Sequence, residues 1–173
     1  MTPDIERLRK NLDALDDIVD SLELELVDDP AWAEPSDTSY LNEKDRANPD
    51  IMANVDAMAA TNALISWFAR DMEGYVGLWR GPKKTDLANA PIVRLDTEGQ
   101  YDIVAKTIGD YLAISLDHDD FDDTRETLVG AGFAVRQSPD AIWESIGDSE
   151  EANDFRHGLY NEGRVKRGLK PVD

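Results

Sequence analysis

Residues 64–105 hold four short runs rich in β-branched and aromatic residues: LISWFARD, GYVGLWRG, PIVRLD and YDIVA. Only turn-forming segments separate them, so they read as consecutive antiparallel strands, the first two joined as a hairpin. Gly74 supplies the positive φ that the hairpin turn requires. Alternation divides each strand between two faces. Tyr75, Gly77 and Trp79 share one face of the second strand, and Val76, Leu78 and Arg80 the other. The first strand divides into Ile65, Trp67 and Ala69 against Leu64, Ser66, Phe68 and Arg70. Both faces are partly apolar, so the expectation is that helices cover one and the other stays half open.

Helical patterns flank this centre. In PDIERLRKNLDALDDIVDSLELEL, residues Ile5, Leu8, Leu12, Leu15, Val19, Leu22 and Leu26 recur at spacings of three and four, one stripe of a helix. Thr2 caps it, Pro3 suits its first position and Asp4 faces the positive end of its dipole. The stripe spans barely three heptads, so it reads as packing on the sheet before it reads as a coiled-coil seam. Residues 28–48 have no period and read as a long loop pinned by Trp32 and Tyr40. A second helix opens at Asn48-Pro49-Asp50, with Ile51, Met52, Val55 and Met58 as its buried side.

After the sheet, Thr107 caps a helix with Ile108, Tyr111 and Leu112 inward. Asp119 or Asp120 caps FDDTRETLV, which ends at Gly130 or Gly132. GFAV is a candidate edge strand. Ser138-Pro139-Asp140 opens a helix holding Ile142, Trp143 and Ile146, and a last polar helix carries Phe155 and Leu159 before a basic tail. The expected fold is a single α+β domain over residues 1–173. It has a helical N-terminal part with a long loop (1–61), a sheet core (62–115) and C-terminal helices (116–173). The sheet is antiparallel, with about four to six strands.

Charge narrows the function. The chain has 37 acidic and 18 basic side chains, a net charge of −19. Residues 1–30 carry ten acids against three bases, residues 111–150 ten against two, and residues 151–173 four against five. Such a surface repels nucleic acid and anionic membranes, whose binding depends on neutralising phosphates. It attracts basic partners and speeds their encounter. There is no cysteine, which removes thiol nucleophiles and thiolate metal sites and fits a cytoplasmic location. No apolar run reaches the ~18 residues of a membrane span, and no signal peptide is visible at the N-terminus.

Motifs for chemistry are absent. GYVGLWRGPKKT lacks the glycine spacing of a phosphate loop. In LDHDDFDD, Asp117 and Asp119 have calcium-loop spacing, but Phe121 stands at the third ligand position and the loop glycine is missing. Acids before a helix are ordinary capping. His118 and His157 lie in no recognisable catalytic arrangement, and Ser66 lacks a nucleophile elbow. The expectation is therefore no enzyme, no cofactor and no metal. The aromatic face of the hairpin remains. Gly77 between two rings leaves a gap for a partner side chain, and Trp67, Tyr75, Trp79, Arg80 and Arg94 are the candidate partner-binding residues. The plainer reading of the same rings is cross-strand sheet stabilisation.

The order of the hairpin WFARDMEGYVGLWRG, the strand APIVRLDTEGQ, the strand YDIVA and the helix TIGDYLAI resembles the core of the SUKH superfamily. That family comprises cell-wall assembly regulators and bacterial toxin-immunity proteins. Gly74, Trp79, Pro91, Gly99, Tyr111 and Leu112 occupy the places of its pattern, over about residues 62–115. The Leu-Pro and Asn-Gly-Gly landmark of the family is not seen in residues 28–61. The resemblance implies a binding protein without catalysis, whose partner is a toxin such as a nuclease; together with the acidic surface this makes a basic toxin domain the expected partner, and the expected state of the chain is a monomer or weak homodimer. The alternative is a scaffold that self-associates through the N-terminal leucine stripe.

Overall fold

The fold is given by a computed structural model, which describes residues 2–28, 34–115 and 121–172. It is α+β. Five antiparallel strands form one meander in the order β1-β2-β3-β4-β5: β1 Glu25–Leu26, β2 Ile65–Asp71, β3 Gly74–Trp79, β4 Ile92–Asp96 and β5 Tyr101–Ala105. The four longer strands are those the period-two pattern predicts; β1, two residues long, is too short to carry one. No helix of the described residues is long and apolar enough to cross a membrane.

The N-terminal stripe is not one helix. α1 (Pro3–Lys10) is capped by Thr2 as expected, then yields to a 3-10 turn at Leu12–Ala14, α2 (Asp16–Ser21) and β1. Asn11 Nδ2 donates to the Arg7 carbonyl at 2.8 Å, one of the local side-chain bonds with which Asn and Asp compete against helix propagation. Glu23 at φ 49° then turns the chain into β1. The stripe still points inward. Ile5, Leu8, Leu15 and Leu22 are buried, and so is Ile18, which the stripe omitted. Leu12, Val19 and Leu26 pack half-buried on the same core. These leucines are used within the chain, so the proposed self-association seam is not free.

Residues 28–48 contain a helix the loop reading missed, α3 (Glu43–Ala47), closed by a capping box between Asn42 and Asp45. Tyr40 is 74% exposed and pins nothing; Trp32 lies outside the described residues. α4 (Pro49–Asn62) starts where expected, but its buried face is Ala53, Ala57 and Thr61, with Ile51, Met52, Val55 and Met58 only half-buried. The cause is close packing on α8 (Glu151–Lys166). A Cβ added at Gly163 meets the Ala53 Cβ at 3.3 Å, a spacing that only small residues at the crossing allow. Tyr160 donates to Asp50 Oδ1 at 2.7 Å and Arg156 to Asn54 Oδ1 at 2.7 Å, fastening the same pair.

Helices cover both faces of the sheet. On one, Val76, Leu78 and Ile92 meet the N-terminal segment, α5 (Ile108–Ile114) and α6 (Phe121–Gly130) through Leu8, Leu112 and Leu128. On the other, Ile65, Trp79, Val93 and Ile103 meet Ile146 of α7 (Pro139–Ile146) and Ala152 of α8. The second face is covered around Trp79 and stays half-buried at Trp67 and Tyr75, so the expected half-open face is confined to that end. A β-bulge between Trp67 and Ala69 also redistributes β2, so that Ala69 joins Phe68 rather than Trp67.

Two C-terminal expectations change as well. GFAV forms no strand. Its segment lies on the start of α5, where buried Asp110 accepts the Arg136 amide at 2.9 Å and pairs with the Arg136 guanidinium. Trp143, expected inside, is 52% exposed. The residues proposed to cap α6, Asp119 and Asp120, lie outside the described residues, as do Asp117 and His118.

Candidate partner-binding surface

The meander itself determines which polar residues meet. In consecutive antiparallel strands, alternate turns lie at the same end of the sheet. The β2–β3 turn (71–74) and the β4–β5 turn (96–100) therefore share an end, and Glu25↔Arg70 pairing brings the start of β1 there too. Both turns are acidic.

The β2–β3 turn is built around Asp71, whose side chain is 1% exposed. Its Oδ1 accepts the amides of Glu73 and Gly74, each at 2.9 Å. Its Oδ2 accepts the Tyr111 hydroxyl at 2.7 Å and Arg94 at 2.9 Å. Arg94 also pairs with Glu73. Burial opposes the Arg94 charge, but Asp71 and Glu73 more than offset it and hold the guanidinium above its ordinary range. Burial, reinforced by the Asp71 charge, pushes the Tyr111 hydroxyl well above 10. Gly74 is required by close approach as much as by φ, since a Cβ there falls 2.1 Å from the Leu95 carbonyl oxygen.

Two open clefts flank this turn. One, about 350 Å³, is lined by Glu23, Glu25, Arg70, Asp71 and Asp96 among others; the other, about 440 Å³, by Glu73, Arg94, Asp96, Glu98 and Asp102. Met72, 57% exposed, borders both. Besides buried Asp71, the clefts present six carboxylates against two arginines, and both arginines are already engaged: Arg70 with Glu25 at 2.6 Å, Arg94 with Asp71 and Glu73. The remaining negative charge is open to a cationic group from outside. Asp102 is exposed, but partial desolvation and then the nearby Asp96 charge raise its carboxyl above the ordinary value of 3.8, against the opposing effect of Arg94.

Asp102 therefore opposes folding whenever it is ionised. The folded state binds its proton more tightly than the unfolded state, so stability is gained as pH falls through the raised value. Asp102→Asn is expected to raise Tm modestly at pH 7. Thermal melts should show the gain shrinking as pH falls to the ordinary carboxylate value. An unchanged gain there excludes ionisation as its cause.

The sequence-derived candidates are distributed differently. Trp79 is 2% exposed, its ring against Phe155 of α8 at 5.8 Å, so it presents nothing to a partner. Trp67 and Tyr75 do meet, edge to face at 6.1 Å, and are half-buried. The gap expected at Gly77 is filled from within: a Cβ there falls 2.3 Å from Ile65 Cγ2 and 2.9 Å from Trp67 Cε3. Gly77 makes room for these neighbours, not for a ligand. Arg94 sits on the opposite face, in the Asp71 network. Arg80 lies past the end of β3, its Nε donating to the Thr85 carbonyl at 3.2 Å. Among the described residues no group of three or more His, Asp or Glu side chains is placed to hold a metal ion.

The acidic end was missed in the sequence because each turn is unremarkable alone. Placing alternate turns of the meander together is the signal that finds it. No family model, curated protein or solved structure matches this chain.

Proposed function

We propose that this chain is a non-catalytic protein-binding module of SUKH type, an immunity protein that neutralises a basic toxin domain in the cytoplasm of the producing cell. One observation carries the reading: the acidic end of the sheet, where six accessible carboxylates flank an exposed methionine and the two arginines are already paired. A basic catalytic cleft, such as that of a nuclease, is complementary to this surface in charge. Met72 supplies an apolar contact at its centre, of the kind interfaces enclose within a polar rim. The resemblance of residues 62–115 to the SUKH core supports the same class. So does the net charge of −19, which steers a basic partner toward the chain.

Co-expression with the polypeptide encoded beside this chain tests the reading. Cells carrying both are expected to grow, and cells carrying the neighbour alone to be inhibited. A neighbour that is harmless alone, or equally toxic in both strains, counts against it.

A further inference from the structure

We propose that the cleft between α4, α8 and the β4–β5 turn binds a small monocarboxylate with an apolar body. This goes beyond the proposed function and does not rest on it. The cleft measures about 440 Å³, within the range of small-molecule sites. Ile51, Asn54 and Met58, at spacings of three and four along α4, form one wall. Arg156 and Tyr160, about one turn apart on α8, form the second. The turn closes the third side with Glu98 and Gln100. A Cβ at Gly99 would stand 3.8 Å from Met58 Cε, so the turn lies against α4 and the three walls are held together.

Arg156 selects the ligand. Each other arginine among the described residues pairs with a carboxylate or donates to a backbone carbonyl. Arg156 does neither. Its Nη1 donates to the neutral Asn54 side-chain oxygen at 2.7 Å, and its Nε is buried without an acceptor. A half-buried cation with no counter-charge gains more from a pairing than an exposed one does. The carboxylates of the cleft do not supply it. Asp50 accepts the Tyr160 hydroxyl at 2.7 Å and pairs with Arg164, and Glu98 is exposed. Glu98 and the net charge of −19 disfavour a dianion, so a single carboxylate is the anion that fits, and the planar guanidinium matches its two oxygens. Ile51 and Met58, both half-buried, give the ligand's body an apolar wall, and the thioether favours an aromatic ring.

Titration of the isotope-labelled full chain with phenylacetate, followed by NMR at neutral pH and constant ionic strength, tests the site. Saturable shifts are expected at the Asn54 and Gly99 amides and at the Arg156 Nε–H, with a dissociation constant on the order of 1–10 mM for so small a ligand. Phenylacetamide, the neutral isostere, and sulfate, a dianion, should each bind at least ~10-fold more weakly. Arg156→Gln should weaken phenylacetate at least ~10-fold, and Glu98→Gln should strengthen it about two- to five-fold by removing a repelling charge. Arg156→Gln also loosens the contact of α8 with α4, so unshifted signals from the sheet check that it is folded. The phenylacetamide and Glu98→Gln arms read the charge without touching that contact. A wild type with no saturable shift at these residues overturns the proposal. So does phenylacetamide binding as tightly as phenylacetate, or a folded Arg156→Gln that binds as well as wild type. Tighter binding of sulfate than of phenylacetate overturns the assignment to a monocarboxylate.

Discussion

Asp71→Ala is expected to destabilise the fold by about 3–5 kcal/mol, the range for removing one member of a buried charge pair. The carboxylate accepts four hydrogen bonds, from two turn amides, a tyrosine and an arginine. Its loss leaves Tyr111 without its acceptor and Arg94 with only the more exposed Glu73. Urea denaturation should show a lower midpoint with little change in slope. Because the cost is mostly that of stranded partners, Asp71→Ala combined with Arg94→Met should lose less than the two single losses added together. Additive losses would mean that the two side chains do not act as a unit. The same network holds the Met72 turn in place, so the acidic end of the sheet depends on it for its shape.

Trp79→Ala should cost a comparable amount, about 3–5 kcal/mol, as large aromatic deletions from a packed core do. The ring lies between the sheet and α8, against Phe155, with Val93 and Ile103 in the same cluster. The two readings of this tryptophan separate cleanly. A core residue shifts the denaturation midpoint; a partner hot spot leaves stability intact and weakens binding alone. The expected result is the first. An unchanged midpoint would return Trp79 to the binding surface and reopen the covered face.

The contrast between these residues indicates what was legible in the sequence. The strands were readable because Ile65–Asp71, Gly74–Trp79 and their successors combine the right residue types with clear turns. The helix starts at Thr2, Asn48, Thr107 and Ser138 were readable because capping is local chemistry: each side chain accepts an amide two or three residues on. What failed was whatever depends on a distant neighbour. The pattern puts the largest apolar residues of α4 on its buried side, but the approach of α8 at Gly163 selects the small Ala53 there instead. The gap at Gly77 is filled by Ile65 and Trp67 from the adjoining strand, which spacing within β3 cannot reveal. The extra residue of the bulge moves Ala69 to the other face without a mark in the alternation. For the candidate site, overall acidity pointed to a basic partner, while the aromatic residues drew attention to a face that helices cover. The acidic turns converge only once the meander order is known.

The association rate of the chain with the basic toxin domain proposed as its partner, measured by stopped flow against salt concentration, tests the central claim most directly. The comparison is between wild type and Glu98→Gln/Asp102→Asn, two cleft carboxylates that form no ion pair. If the acidic end of the sheet receives the partner, the wild-type rate falls steeply as salt rises. The variant should associate several-fold more slowly at low salt and converge with wild type at high salt, as rim charges that act on encounter do. Equal rates for the two proteins at low salt, in a complex that still forms, would contradict the assignment of this surface.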